Sequence, residues 1–304
     1  MNQELGKKLL SILKEEQVKK DEPMKSHTTF RVGGPADYFL VPETGEEVGE
    51  IIKICRKTDT PYFILGNGSN LLVGDGGYRG AVIQVYRNMS AVTVEGTTIT
   101  AQAGALLSAV AAAAKNASLT GFEFAGGIPG TVGGAAVMNA GAYGGEMKDV
   151  LVEVTVMDAE GKIFAISAEK LELGYRTSVI KKAGYIVLEA KIRLKEGDQE
   201  AIRERMKELT IQRTTKQPLE YPSAGSTFKR PEGYFAGKLV MDSGLRGYQV
   251  GGARISEKHC GFVINAGDAT AKDVRTLMDN VRDIVYEKYG VTLEPEVKFL
   301  GEFD

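Results

Sequence analysis

Two glycine-rich segments are the part of this sequence best suited to hold an anion. "GNGSN" occupies residues 66–70, and residues 122–146 contain eight glycines among alanine, valine and methionine. Consecutive main-chain N–H groups in such loops bind oxyanions, and glycine lets another molecule approach the main chain closely. A flexible linker would be rich in serine and charge, unlike the second segment. "GNGSN" alone could equally be a tight turn, but the pair predicts a site for a large, flat, phosphorylated ligand such as a flavin dinucleotide.

The common nucleotide-binding motifs do not occur in the chain. After Gly66 and Gly68, Leu71 stands where G-x-G-x-x-G requires a third glycine, and Arg79 stands there after Gly74 and Gly76. The P-loop pattern G-x-x-x-x-G-K-[ST] does not occur either. The sequence therefore disfavours a Rossmann fold and a P-loop.

Composition limits the remaining functions. The 304 residues carry a net charge of −2 and no basic run, so nucleic acid is not an expected partner. Two histidines, His27 and His259, are too few for a histidine-based metal site, and we predict no metal. Cys55 and Cys260 form no C-x-x-C pattern and indicate a reducing compartment. The charged N-terminus and the short alanine-rich run predict no signal peptide and no membrane span, hence a cytoplasmic protein.

Hydrophobic periodicity predicts a mixture of helices and strands. Helices are expected at the N-terminus, with Leu5, Leu9, Ile12 and Leu13 on one face, within "EEVGEIIKICRKTDTP", with Pro61 beyond the helix end, and over residues 106–117, 198–212 and 271–289. Strands are expected in "TTFRVGGPADYFLVP" (interrupted by its glycines), "YFIL", "LLV", "AVIQV", "AVTVEG", "TTITAQAG", "VLVEVTVMDAEGKIFAI", "GYIVLEAKIRL" and "LEPEVKFL". A composition shift at "KEGD" predicts a domain boundary near residue 197.

Six motifs occur in the order in which one enzyme family carries them. They are "TTFRVGGPAD", "LGNGSNLLV", "GIPGTVGGAAVMNAGAYG", "YRTS", "AGSTFKRP" and "LEPEVKFLG". From about residue 26 to the C-terminus, the chain closely resembles the UDP-N-acetylenolpyruvoylglucosamine reductases (UDP-N-acetylmuramate dehydrogenases) of bacterial peptidoglycan synthesis. The short stretch between "GYRTS" and "YIVLEAKIRL" resembles the shorter type of this family, which lacks an extra tyrosine-bearing loop over the substrate.

The resemblance implies an α+β fold and an activity. The fold would be an FAD-binding domain of the vanillyl-alcohol oxidase type, in two α+β subdomains at residues 1–85 and 86–197, and a smaller α+β substrate-binding domain at 198–304. The activity would be NADPH-dependent, FAD-mediated reduction of the enolpyruvyl ether of UDP-N-acetylglucosamine-enolpyruvate to UDP-N-acetylmuramate. FAD would be bound non-covalently, and NADPH would be the co-substrate.

The resemblance also implies the residues that contact FAD. Residues 66–71 would meet the pyrophosphate, residues in 126–142 the isoalloxazine and ribityl side, and residues 31–34 the adenine half. The full set is Arg31, Val32, Gly33, Gly34, Gly66, Asn67, Gly68, Ser69, Asn70, Leu71, Gly126, Gly127, Ile128, Pro129, Gly133, Gly134, Asn139, Ala140, Gly141 and Ala142. A bulky residue in place of Gly134 or Gly141 is expected to reduce flavin binding before it destabilises the fold.

Three residues match the family's catalytic positions. A hydride would reach C3 of the enolpyruvyl group from reduced flavin N5, and Ser226 would give a proton to C2. Fixed cationic or donor groups stabilise the charge that grows at the neighbouring carboxylate, and Arg176 and Glu296 match the positions for that task. Lys216 would meet the substrate diphosphate, where a point charge suffices. Arg230, which stands where many relatives carry asparagine, is assigned to the substrate together with Arg176.

Each of these residues alone has a plainer explanation. An arginine in "YRTS" is usually a surface ion-pair partner, a serine after Ala-Gly usually belongs to a turn, and a glutamate alternating with apolar residues usually faces solvent. Two other functions therefore stay open. One is an FAD-linked oxidase or dehydrogenase of the same fold, often with covalent flavin, and the other is a nucleotide-sugar binding protein without redox activity.

Overall fold

A computed structural model describes residues 3–303 of the chain. The helices are α1 Gln3–Leu9, α2 Gly45–Lys57, α3 Leu107–Asn116, α4 Val132–Met138, α5 Val179–Ala183, α6 Gln199–Lys216, α7 Ala236–Asp242 and α8 Ala271–Tyr289. The strands are β1 Val18–Pro23, β2 Pro35–Leu40, β3 Tyr62–Leu65, β4 Leu71–Val73, β5 Tyr78–Gln84, β6 Val92–Glu95, β7 Thr98–Gln102, β8 Leu119–Thr120, β9 Gly141–Ala142, β10 Gly145–Glu146, β11 Leu151–Met157, β12 Ile163–Ser167, β13 Ile186–Arg193, β14 Lys195–Glu196, β15 Gln249–Val250, β16 Ala253–Ile255, β17 Val263–Asn265 and β18 Lys298–Leu300.

The chain forms two compact units, each assembled from separated stretches of sequence. The first unit comprises the described residues up to Lys19 with Tyr38–Asn67 and Gly80–Arg213, and the second comprises Lys20–Asp37, Gly68–Arg79 and the described residues from Thr214 onward. Each unit has its own buried apolar core. The boundaries of these units differ from the predicted domain boundaries at residues 85 and 197. The division into two FAD-binding subdomains and a substrate-binding domain stays a prediction.

The first unit contains a five-stranded antiparallel sheet in the order β12-β11-β13-β7-β6. Along the central strand β13, the buried residues Leu188, Ala190 and Ile192 recur at every second position, as expected of a strand with one face in the core. Helix α4 packs against β13. In the same unit β3 and β5 pair in parallel, with Tyr62 opposite Ala81. The sheet thus carries α4, which lies within the glycine-rich segment.

The second unit is built around the antiparallel sheet β15-β16-β17 and the long helix α8, which packs on it. Val274, Leu277 and Val281 are fully buried at helical spacing on one side of α8. Oγ1 of Thr270 caps the helix by accepting the N–H of Asp273 at 3.0 Å. Strand β4 pairs in parallel with β18, so the segment after "GNGSN" is joined to the C-terminal strand.

Most predicted elements are confirmed. Helices α3 and α8 match their predicted ranges within one residue, and α2 ends at Lys57, ahead of Pro61 as predicted. Strands β6 and β7 form a hairpin with its turn at Gly96, where φ is +57°. Helix α6 begins as predicted but continues to Lys216. No residue in this stretch breaks the helix before Pro218, and proline disfavours helical backbone in the residue that precedes it.

Other predicted elements differ from the structure. Helix α1 ends at Leu9, so Ile12 and Leu13 lie beyond it. In "TTFRVGGPADYFLVP" only Pro35–Leu40 is a strand, because Arg31 and Gly33 have φ of +54° and +129°. Strands β3 and β4 flank "GNGSN" but do not pair, since β3 joins β5 and β4 joins β18.

Candidate active site

In the first unit, the two glycine-rich segments meet. The side-chain amide of Asn67 donates a hydrogen bond of 2.7 Å to the carbonyl of Pro129. A Cβ on Gly66 would lie 2.6 Å from Oγ1 of Thr131. Glycine at position 66 therefore lets this loop lie against the start of α4, and the segments predicted to hold pyrophosphate and ring are adjacent.

In the second unit, the rest of "GNGSN" packs on the segment after β1. Gly68 has φ of +64°, and a Cβ there would collide with the main-chain carbonyl of His27. The carbonyl of Gly68 accepts the N–H of Thr29 at 3.2 Å. The side-chain amide of Asn70 donates to the carbonyl of Glu296 at 3.1 Å. One end of this stretch thus requires glycine because the main chain of His27 lies against it, and the other end is held by the side-chain amide of Asn70.

The donors of the "GNGSN" loop suit the phosphates of a dinucleotide. Within residues 3–303, the main-chain N–H groups of Gly68, Ser69 and Asn70, which belong to the second unit, have no hydrogen-bond acceptor. Gly68 is a buried residue, and a buried polar group without a partner costs about 1–3 kcal/mol. Phosphate oxygens would supply the missing acceptors. The residues present therefore fit the diphosphate of FAD.

The glycines around α4 have different roles. Gly134 is open, because a Cβ there would meet only Oγ1 of Thr131, at 3.7 Å. A Cβ on Gly133 would lie 3.0 Å from Cβ of Ala103, and one on Gly141 would lie 2.7 Å from the carbonyl oxygen of Gly145. Gly141 is thus needed for the β9–β10 hairpin itself. The expectation that a bulky residue reduces flavin binding before it destabilises the fold is wrong for Gly141 and stays a prediction for Gly134.

Arg176 lies in a tight turn of the first unit. Gly174 and Thr177 exchange two main-chain hydrogen bonds of 3.1 and 3.2 Å, and Arg176 between them has φ of +55°. Its guanidinium carbon lies 5.1 Å from the ring centroid of Tyr175. A non-glycine residue in the left-handed region is uncommon, and such strain is concentrated at functional sites.

Asn139 holds the turn of Arg176 in place. Its side-chain amide donates to the carbonyl of Gly174 at 3.2 Å and to Glu146 at 2.7 Å, and its oxygen accepts the N–H of Lys148 at 2.9 Å. Asn139 is 1% exposed and ends α4 in the left-handed conformation. The side chain of Asn139 is thus a positioning group. The predicted contact of Asn139 with the cofactor stays a prediction, and it would have to come from the main chain.

Ser226 and Glu296 lie on paired segments of the second unit. The N–H of Glu296 donates to the carbonyl of Thr227 at 2.8 Å, and the N–H of Lys229 donates to the carbonyl of Glu294 at 2.8 Å. This short antiparallel pairing brings the "AGSTF" and "LEPEV" motifs side by side. Two of the three predicted catalytic residues are therefore neighbours in the second unit, although 70 positions separate them in the sequence.

Thr227 fixes the main chain beside Ser226. Its N–H donates to the carbonyl of Gly261 at 2.9 Å, and its buried Oγ1 accepts the N–H of Val263 at 2.9 Å. Ser226 itself is exposed, and its hydroxyl has no hydrogen-bond partner in the described part of the chain. The structure thus holds the serine backbone rigidly and leaves its hydroxyl available to a ligand.

The remaining predicted contacts lie mainly in the second unit. Lys216 at the end of α6 is exposed and makes no ion pair with a described residue. The guanidinium of Arg230 lies over the ring of Phe235, 4.7 Å from its centroid. Gly34 packs against the carbonyl of Asp75, where a Cβ would collide. Internal packing thus accounts for Gly34, and its predicted contact with the adenine half of FAD stays a prediction.

The histidines have ordinary partners. Nε2 of His27 lies 2.8 Å from Oε1 of Glu22. Nδ1 of His259 accepts the N–H of Gly261 at 3.1 Å, and burial lowers the pKa of this imidazole. Among residues 3–303, no three His, Cys, Asp or Glu side chains are grouped to hold a metal ion.

Two threonines that hold the site in place were not predicted from the sequence. Thr131 caps α4, since its Oγ1 accepts the N–H of Gly134, and a threonine before an apolar run is a readable capping signal. Thr227 gives no such signal, because its role depends on residues 34–36 positions away that only the tertiary fold brings close.

Comparison with known proteins agrees with this geometry. Residues 36–167 match the FAD binding domain family, and residues 217–300 match the family described as UDP-N-acetylenolpyruvoylglucosamine reductase, C-terminal domain. The chain is 54% identical over 301 residues to the UDP-N-acetylenolpyruvoylglucosamine reductase of Clostridioides difficile (strain 630), with 99% of each chain covered. It is 55% identical over 306 residues to the enzyme of the same name from Lachnoclostridium phytofermentans, again with 99% of each covered.

A solved structure is similar throughout. The crystal structure of UDP-N-acetylenolpyruvylglucosamine reductase (MurB) from Thermus caldophilus matches with a TM-score of 0.80 and 40% identity, covering 93% of this chain and 98% of that one. The predicted α+β fold with an FAD-binding domain of the vanillyl-alcohol oxidase type is confirmed.

The fold and the glycine-rich loops define an FAD-binding oxidoreductase. Within that class, the chain belongs to the UDP-N-acetylenolpyruvoylglucosamine reductase family. In residues 3–303, no helix has the length and apolar character needed to cross a membrane.

Proposed function

We propose that this protein reduces the enolpyruvyl ether of UDP-N-acetylglucosamine-enolpyruvate to UDP-N-acetylmuramate, a step of peptidoglycan precursor synthesis, with bound FAD and with NADPH as the reductant. Family membership over the whole chain supports the reaction class. The observation that carries the assignment of residues is the pairing of the Ser226 and Glu296 segments through the hydrogen bond from Glu296 N–H to the Thr227 carbonyl.

Reduction of the enolpyruvyl double bond adds a hydride at C3 and a proton at C2. Bound FAD would supply the hydride, having taken it from NADPH. Ser226 would supply the proton, because its hydroxyl is exposed on a rigidly held main chain and has no partner within residues 3–303. A serine hydroxyl is a weak acid, but carbon at C2 becomes strongly basic as the hydride arrives. Solvent can then return a proton to the exposed oxygen.

Arg176 and Glu296 would act on the carboxylate next to C2. Negative charge spreads into this carboxylate in the transition state, and donors fixed before the reaction stabilise that charge without reorganising. Arg176 is fixed by its turn and by Asn139, and Glu296 is fixed by Thr227 and Asn70. These anchors support the proposed roles because they restrict both residues through the main chain.

Lys216 and Arg230 would bind the UDP portion of the substrate. Lys216 is an exposed cation that makes no ion pair with a described residue, as suits a contact to a diphosphate. The guanidinium of Arg230 lies over the ring of Phe235. The substrate would meet this flat guanidinium at the position where many relatives offer the amide of asparagine. We also place the reaction in the cytoplasm, because Cys55 and Cys260 are free thiols, as is usual in reducing compartments.

Anaerobic half-reactions test this function. The flavin spectrum of the purified protein should bleach with NADPH and return when UDP-N-acetylglucosamine-enolpyruvate is added. A spectrum that does not return would reject the substrate. Acid precipitation should give a colourless pellet and a yellow supernatant, whereas a yellow pellet would favour a covalent flavin oxidase of the same fold. Protein without flavin absorbance that cannot be loaded with FAD would favour a nucleotide-sugar binding protein.

A further inference from the structure

An open cavity of about 580 Å³ lies within the second unit. Three stretches of the chain line it: Lys25 and Arg31, Tyr221 and Pro222, and residues 265–269. Of these residues, only Arg31 belongs to the predicted cofactor contacts. Sites for small molecules usually measure about 300–1,000 Å³. The cavity is therefore large enough for part of a nucleotide.

Hydrogen bonds hold the three stretches together. The hydroxyl of Thr29 donates to the carbonyl of Ser223 at 2.6 Å. The main-chain N–H of Asn265 donates to the carbonyl of Pro222 at 2.9 Å, and its side-chain amide donates to the carbonyl of Phe30 at 3.3 Å. The walls of the cavity are thus fixed before a ligand arrives, as is usual for a binding site.

The cavity carries a net positive charge. Lys25 and Arg31 are exposed, and neither side chain makes an ion pair with a described residue. Asp268 is the only acid among the described lining residues, and it pairs with neither cation. Two cations on one wall suit a doubly charged anion such as a phosphate, which lysine meets as a point charge and arginine through its planar fork.

The main chain of Arg31 is strained. Its φ is +54°, a value that glycine adopts freely and that costs energy for a residue with a Cβ. Among the described residues, the other arginine with a positive φ is Arg176, at +55°, which belongs to the predicted catalytic set. Strained residues are concentrated at functional sites. The strain indicates that the side chain of Arg31 serves a ligand.

An aromatic ring stands beside these cations. Tyr221 is 37% exposed, and the guanidinium carbon of Arg254 lies 5.6 Å from the centroid of its ring. The stacked arginine holds the ring in place and adds a third positive charge near the cavity. A planar base stacks on such an exposed ring in a sequence-independent way. The cavity thus combines features that suit a base with features that suit a phosphate.

The position of the cavity selects among phosphorylated nucleotides. Pro222 lies four positions before Ser226, so their Cα atoms are at most about 14 Å apart. An extended dinucleotide is longer than this and can reach from the cavity to the candidate proton donor. The N–H groups of Gly68, Ser69 and Asn70 already match the diphosphate of FAD. The cavity therefore suits a second dinucleotide with a phosphate of its own.

We propose that this cavity binds the 2′-phosphoadenosine part of NADPH, with Lys25 and Arg31 at the 2′-phosphate and Tyr221 at the adenine. A phosphate monoester carries a charge of about −1.5 to −2 at pH 7, which two cations match. NADH lacks this phosphate, so the two cations select NADPH. This inference rests on the proposed function and gives the side chain of Arg31 a different ligand from the adenine half of FAD.

Binding of adenosine 2′,5′-bisphosphate to the FAD-loaded protein tests the phosphate site, and adenosine 5′-monophosphate is the matched probe without the 2′-phosphate. Calorimetric titration compares the wild type with Lys25→Gln, Arg31→Gln and Lys272→Gln. The wild type should bind the bisphosphate more tightly. Lys25→Gln and Arg31→Gln should each weaken the bisphosphate about tenfold, but not the monophosphate. Lys272→Gln is the control, because it removes an exposed cation of the second unit that does not line the cavity.

Rates of flavin reduction give a second measurement. The ratio of kcat/KM for NADPH to kcat/KM for NADH should fall about tenfold in Lys25→Gln and in Arg31→Gln, and it should keep its wild-type value in Lys272→Gln. Fluorescence titration of the FAD-free protein with FAD separates the other assignment of Arg31. A loss of FAD affinity in Arg31→Gln without a change in the NADPH to NADH ratio would overturn the proposal.

Three further results would overturn it. One is a wild type that binds both adenosine probes equally or does not prefer NADPH. Another is a matching loss of affinity for uridine 5′-diphosphate in Lys25→Gln and Arg31→Gln, which would place the substrate diphosphate in the cavity. The third is a lower melting temperature in Arg31→Gly, since glycine adopts this φ without strain and should keep or raise it.

Failure of the proposed function has a different signature. A wild type whose flavin is reduced by neither NADPH nor NADH would reject the proposed function itself. The binding of the two adenosine probes and the outcomes above concern the cavity alone.

Discussion

The main-chain N–H of Glu296 donates a hydrogen bond of 2.8 Å to the carbonyl of Thr227, the residue after Ser226. This contact joins two motifs that lie far apart in the sequence. Asn70 holds the other side of Glu296 by donating to its carbonyl. The candidate proton donor, the candidate carboxylate and the end of the "GNGSN" loop are thus connected within the second unit through the main chain of Thr227 and Glu296 and the side-chain amide of Asn70.

Replacing Ser226 by alanine should separate the two half-reactions. Reduction of the flavin by NADPH should stay near the wild-type rate, because it needs no proton at C2. Reoxidation by the enolpyruvyl substrate should slow about 10²–10⁴-fold, the usual contribution of a positioned acid. Stopped-flow absorbance measures both rates. Ser223→Ala is the control, because the Ser223 hydroxyl makes no hydrogen bond with residues 3–303, and its main-chain carbonyl, which accepts from Thr29, is kept. Equal slowing of both half-reactions would contradict the role of Ser226.

Replacing Thr227 by valine should destabilise the second unit and disturb the site. Valine keeps the shape but leaves the N–H of Val263 without its buried acceptor, at a cost of about 1–3 kcal/mol in the free energy of unfolding. Urea denaturation measures this loss, and turnover should fall with it because Ser226 is adjacent. Thr227→Ser keeps the oxygen and should stay close to wild type. Equal stability of the valine and serine variants would show that this hydrogen bond is unimportant.

Replacing Asn139 by alanine and by glycine tests its control of the Arg176 turn. Both variants lose the bonds to Glu146, Gly174 and Lys148 and should show a higher KM for the substrate. The alanine variant should lose about 1–2 kcal/mol more of the free energy of unfolding than the glycine variant, because φ is +43° at this position and only glycine adopts this value without strain. Urea titration and steady-state kinetics measure the two effects. A wild-type KM in the glycine variant would refute the positioning role.

Bulky residues at Gly134 and Gly141 should have different effects. Gly134→Leu replaces glycine in helix α4, where leucine is the better helix former by roughly 0.8 kcal/mol, and its Cβ meets only Thr131 at 3.7 Å. The FAD-free protein should keep its melting temperature, while FAD affinity falls. Gly141→Leu should lower the melting temperature of the FAD-free protein, because its Cβ would crowd Gly145. Full FAD retention in Gly134→Leu would show that the cofactor lies elsewhere.

His259 should make stability depend on pH. Burial lowers its pKa in the folded state below the unperturbed 6.5, so the unfolded chain binds the proton more readily in that range. Its contribution to stability is therefore complete above about pH 6.5 and is lost as the pH falls through the lowered pKa. His259→Asn keeps an acceptor for the N–H of Gly261 but does not titrate. Its urea midpoint should fall less than that of the wild type between pH 7.5 and 5, and parallel curves would exclude His259 as the cause.

Several features were determined by the sequence alone. Local periodicity located α2, α3 and α8, because a buried helical face needs apolar residues every three or four positions. Six motifs in order identified the family, and the missing G-x-G-x-x-G excluded a Rossmann fold. The sequence also predicted that the glycines of residues 122–146 serve a ligand, and this stays a prediction for an open position such as Gly134.

Only the tertiary structure decided how the glycines divide between ligand and packing, and which residues hold the site. Gly66, Gly133 and Gly141 are glycines because other parts of the first unit lie against them. Likewise, Thr227 can fix Ser226 only where Gly261 and Val263 come close. Such contacts join residues tens of positions apart. Local propensity and motif spacing do not indicate these contacts, because the contacts form only when the folded chain brings distant main-chain groups together.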